Sequence, residues 1–177
     1  MNADQPIESM IARIGEQLFE YAIDRSDMNA ILDALPLDNP DKRVVLEYEI
    51  QLLRIVSVGW AITYFLAEHD IKRPLVQCYW EGIQSLSTTL STSAALTTNT
   101  QVDYFDTLKQ RLDHYVGALD AAGKIPDPAM AIGPAFAGLC SYEDDACAVL
   151  AGTKMFAHTI RCVREYLDAA VSQQREL

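Results

Sequence analysis

The stretch Arg54-Ile55-Val56-Ser57-Val58-Gly59-Trp60-Ala61-Ile62-Thr63-Tyr64-Phe65-Leu66-Ala67-Glu68 decides the fold. Its 13 residues from Ile55 to Ala67 carry no charge. A bilayer-spanning helix needs about 20 predominantly apolar residues, so a buried helix is expected instead. The surrounding pattern makes it the apolar half of a long helix from about Asp41 to Glu68. A helix that is greasy on nearly every side must be wrapped by other helices or shared with a second subunit.

Working outward, helical spacing recurs and strand-like alternation does not. Upstream, Ile7, Met10/Ile11, Ile14, Leu18 and Tyr21/Ala22 form the stripe of a first helix, from about Pro6 to Ile23. Ser26 and Asp27 are the expected caps of a short helix, Met28–Leu35. Pro36 and Pro40 oppose its continuation. Downstream, His69–Pro74 turns the chain into a fourth helix, about Leu75–Thr98, with Tyr79, Ile83, Leu86, Leu90 and Ala94 on one face. Its opposite face is rich in Ser and Thr, whose hydroxyls are expected to bond back to the helix's own carbonyls.

Asn99 and Thr100 then break the pattern before a fifth helix, about Gln101–Ala122, stopped by Gly123. An irregular connection, 124–142, carries three prolines and two glycines. A short helix is expected in it around Pro134–Leu139. Ser141 is the expected cap of a final long helix, with Glu143, Asp144 and Asp145 in its first turn, where the dipole favours acid. The stripe from Ala146 to Ala170 has the three-and-four spacing of a bundle seam. The expectation is one all-α domain over residues 1–177, an antiparallel bundle of about four long helices plus one or two short ones.

Composition narrows the function. At 177 residues the chain can bury roughly 70% of its unfolded surface, so a core forms without staples. The net charge of −11 repels a phosphate backbone, and no basic run offsets it. Nucleic acid and anionic membrane surfaces are therefore not expected partners. Cys78, Cys140, Cys147 and Cys162 show no Cys-x-x-Cys spacing, and the N-terminus lacks a signal-peptide pattern. Reduced thiols in a cytoplasmic protein are expected.

Chemistry-bearing patterns are incomplete. His69-Asp70 resembles the metal-ligating pair of the all-helical HD phosphohydrolases, but that family requires an earlier histidine, and none precedes His69. Glu-x-x-His, the di-iron bundle signature, is absent. Glu16/Glu20 and Glu165/Asp168 fit solvated helix faces better than a Mg²⁺ site. His158 and Cys162 share a helix face but would need two more ligands from other elements, with Cys78, Cys140 or His114 as the candidates, and a buried cysteine beside a hydrogen-bonded histidine is the expected reading. Gly152-Thr153-Lys154 lacks a P-loop's first glycine and fits close helix contact. Neither a metal nor a cofactor is expected.

Two features invite a ligand. Trp60 and Tyr64 on the central helix, with Tyr79 and Trp80 on the next and His158 on the last, could line a pocket between helices three, four and seven. Arg54 would need a carboxylate, or an anionic ligand, if it were buried. Its place at the edge of the apolar stretch favours solvent. The leading expectation is a non-enzymatic interaction or regulatory protein, homodimeric or with another protein partner. The alternative is a small-molecule-binding protein or enzyme with a pocket between helices, and metal-dependent hydrolysis comes last.

Overall fold

The computed structural model describes residues 4–98, 103–123 and 127–174. The Asn99–Thr100 break, the Gln101 start of the fifth helix and the 124–126 part of the connection lie outside the described residues. Those residues form an all-α bundle: α1 (Asp4–Ile23), α2 (Ser26–Asp33), α3 (Pro40–Phe65), α4 (Lys72–Thr98), α5 (Tyr104–Ala122), α6 (Ala129–Leu139) and α7 (Ala146–Gln174). Five are long, and α2 and α6 are short. No helix among them is long and apolar enough to cross a membrane.

α3 is the axis. Asn39 caps it, accepting from Asp41 N at 2.9 Å and Lys42 N at 3.3 Å, with Pro40 in the first turn where its missing N–H costs nothing. From Glu49 to Ile62 nearly every residue is buried. The cover comes from the chain itself: α7 packs most extensively on α3, with α1, α2, α4, α5 and α6 also touching it. The apolar surplus of Ile55–Ala67 is met mainly within one copy. Each fully buried Leu or Ile of α3, such as Leu53 or Ile62, adds roughly 1.5–3 kcal/mol of transfer free energy.

α6 and α7 approach closely because glycines face each other's helix. A Cβ at Gly152 would stand 2.6 Å from Phe136 Cβ, and one at Gly133 would stand 2.9 Å from the Val149 carbonyl. Gly152 permits helix contact, as its sequence setting suggested. On α4, Thr88, Thr89, Thr92 and Ser93 hydroxyls donate to the carbonyls four residues back, at 2.8–3.0 Å.

Four local expectations need correction. Ser26 and Asp27 lie inside α2 rather than capping it; Asp24 instead accepts from Ser26 N and Ser26 Oγ. α3 stops at Phe65, short of Glu68. α6 begins at Ala129 and runs through Pro134. Burial of Ala129, Ile132, Phe136 and Ala137 outweighs the bond Pro134 removes, a loss of about 3 kcal/mol. Ser141 has φ 59° and turns the chain, and Asp145 takes the capping role, accepting from Ala148 N at 2.9 Å. Glu143 and Asp144 precede α7.

Candidate functional site

Arg54 is 0% exposed, so the expectation that it reaches solvent is overturned. Tyr21 of α1 and Asp27 of α2 lie against it. Its Nη2 donates to Asp27 Oδ2 on α2 at 3.3 Å, and its guanidinium lies 4.2 Å from the centre of the Tyr21 ring. Nε and Nη1 have no hydrogen-bond partner among the described residues. Burial pushes the Tyr21 phenol well up, with the Arg54 charge opposing it. Tyr79 is raised for the same pair of reasons.

Asp27 Oδ2 also meets His158 Nε2 on α7 at 3.1 Å. His158 Nδ1 is 3.2 Å from Arg161 Nη2. A guanidinium only donates, so Nδ1 is the acceptor and Nε2 carries the proton toward Asp27. Cys162 Sγ lies 3.6 Å from the same Nε2. The chain Arg54–Asp27–His158–Arg161 thus runs from the core to the surface, and Arg161 ends on the wall of a cleft.

That cleft, about 520 Å³, lies where the C-terminal end of α3 meets α5, α6 and α7. Trp60 and Tyr64 form its aromatic wall, stacked with centroids 4.8 Å apart and planes 14° from parallel. Phe156 meets Trp60 at 5.9 Å, and Phe65 meets Tyr64 edge-on at 5.3 Å. Arg161 and Arg164, three residues apart on α7, bring two positive charges to it. Arg164 lies 5.9 Å from the Phe65 ring centre and 3.7 Å from Asp168. Asp127 also lines the cleft, with Oδ1 accepting from Ala129 N at 3.0 Å.

The residues singled out from sequence do not share one pocket. Trp60 and Tyr64 line the cleft, and His158 touches it only through Arg161. Tyr79 is fully buried and donates to the Ile55 carbonyl at 2.8 Å. Trp80 packs on Gly59 and edge-on to Phe105 at 6.4 Å. Neither lines the cleft with Trp60 and Tyr64. Arg161, Arg164 and Phe156 were not anticipated; the signal was two arginines at helical spacing beside Phe156 and Ile160. Among the described residues no group of three or more His, Cys, Asp or Glu side chains is placed to hold a metal ion.

A second groove of about 420 Å³ lies between α3, α4 and α5, floored by Ile55, Ile83 and Leu108 and edged by Arg25, Glu47 and Tyr104. Beside it, Glu49 on α3 takes a two-pronged bond from Arg111 on α5, at 2.6 and 2.7 Å. That pair neutralises a buried carboxylate and ties the two helices together.

Comparison with protein-family models, with curated proteins and with solved structures finds no match to this chain.

Proposed function

We propose that this protein is a non-enzymatic small-molecule-binding protein whose ligand occupies the Trp60–Tyr64 cleft. The observation that carries the proposal is the stacked pair itself: Tyr64 is 61% exposed, yet held parallel to Trp60 beside Phe156 and two arginines. A concave, mostly apolar lining with a few polar groups, in a volume of about 300–1,000 Å³, is the usual form of a ligand site. A melting-temperature screen against metabolites tests it, because a ligand that binds only the folded state stabilises that state. Ala157 lines the cleft and is exposed, so Ala157→Trp fills the cleft without entering the core. Compounds that raise the melting temperature of the wild type and not of Ala157→Trp support the proposal. Identical shifts in both proteins, or no shift with any compound, refute it.

Interaction with another copy or a different protein is the second reading. It is supported by Val44, Val45 and Tyr48 on the N-terminal half of α3, which stay 65%, 38% and 42% exposed. Light scattering at micromolar concentration decides it for the homodimer: a dimer supports it and a clean monomer sinks it. A cytoplasmic setting belongs to the same proposals, supported by the free thiols of Cys78, Cys140, Cys147 and Cys162.

A further inference from the structure

We infer that the cleft selects a planar aromatic carboxylate, a monoanion with one or two fused rings. This rests on the proposal that the cleft is the ligand site, and it names the class of molecule. Trp60 and Tyr64 offer near-parallel rings with Phe156 close by, a lining suited to a flat conjugated ligand by offset or edge contact. Arg161 and Arg164 lie on one face of α7, so their guanidiniums reach the same edge of the cleft. A planar guanidinium matches a carboxylate fork better than any neutral group.

Arg161 Nη2 lies 3.2 Å from His158 Nδ1, and no carboxylate among the described residues pairs with it. Arg164 pairs with Asp168 only across 3.7 Å, with both side chains well exposed. Such a pair is weak and readily exchanged for a ligand. The single charge follows from the surroundings. Asp127 lines the cleft, Asp168 flanks it, and the whole chain carries −11, so each added negative charge on the ligand meets further repulsion.

The test uses the full chain with three naphthyl probes followed by titration calorimetry: the isosteric pair 2-naphthoate and 2-naphthamide, and the dianionic 2-naphthyl phosphate. The acid should bind about tenfold or more tighter than the amide, reflecting a charge-assisted pair. Arg161→Gln/Arg164→Gln should remove that preference by weakening the acid far more than the amide. Both arginines are exposed, so the fold should persist, and circular dichroism checks it. Should the double variant misfold, added salt makes the same comparison in the wild type: acid binding must weaken and amide binding must not. Equal affinity for acid and amide overturns the inference, as does tighter binding of the phosphate or no binding of any probe. None of these touches the cleft proposal, which the Ala157→Trp screen tests separately.

Discussion

Arg54 and Asp27 form an asymmetric pair: the guanidinium is wholly enclosed while the carboxylate that meets it at 3.3 Å is 37% exposed. The two partners are therefore not equivalent under substitution. Removing Asp27 leaves a buried cation with no carboxylate, at a cost of about 3 kcal/mol or more. Removing Arg54 in favour of an apolar side chain of similar length leaves Asp27 partly hydrated and still bonded to His158. Asp27→Ala should thus destabilise far more than Arg54→Met, which should lie within about 1 kcal/mol of wild type. Urea unfolding of the two variants checks the order, and equal losses would contradict it.

The contact between Gly152 and Phe136 is set by backbone-near atoms, since a Cβ at 152 would lie 2.6 Å from Phe136 Cβ. Neither atom can swing aside without moving α6 against α7. Gly152→Ala should cost about 2–3 kcal/mol of stability, despite alanine's better helix propensity. A thermal melt lower than wild type by several degrees is the expected result.

Asp145 caps α7 and holds Lys42 Nζ at 2.6 Å, and these bonds lower its carboxyl below the usual aspartate range. The unfolded chain then binds the proton first. This contribution is complete above the ordinary value of about 3.9 and is lost as pH falls through the lower folded value. Asp145→Asn keeps a good capping residue but removes the charge. Its stability should fall less steeply than wild type between about pH 5 and pH 2, measured as urea midpoints across that range.

Cys140 is 4% exposed, and burial, with the Glu49 charge adding, pushes its thiol up to about 12. The thiolate is the nucleophile, so this sulfur should resist alkylation in the folded protein. Iodoacetamide at pH 8 followed by peptide mass analysis should show Cys140 labelled last, and at the rate of global unfolding.

Much of the bundle was legible because one period runs through it. The stripes Ile14–Leu18–Ala22 and Val149–Phe156–Val163 each point one way along a helix, and that pattern survives ignorance of the partner. What failed was decided by partners far along the chain. Pro134 reads locally as a helix start, yet packing on Gly152 and Thr153 carries α6 back to Ala129. Arg54 reads as an edge residue, yet Asp27, 27 positions upstream, lets it be buried. The cleft was half legible: Trp60 and Tyr64 stand out as a turn-spaced aromatic pair, whereas Arg161 and Arg164 look like an ordinary solvated face until α3 and α6 are placed beside them.

A ligand in the Trp60–Tyr64 cleft has a built-in reporter. The protein contains two tryptophans, one lining the cleft and one packed on Gly59 at the α4 side of α3. Titrating 2-naphthoate, or a hit from the melting screen, into uniformly ¹⁵N-labelled protein and following the two indole N–H signals separates them. A ligand seated in the cleft gives a saturable shift of the Trp60 signal with Trp80 still. A Trp80 shift without Trp60, or a bound ligand that moves neither, would contradict it.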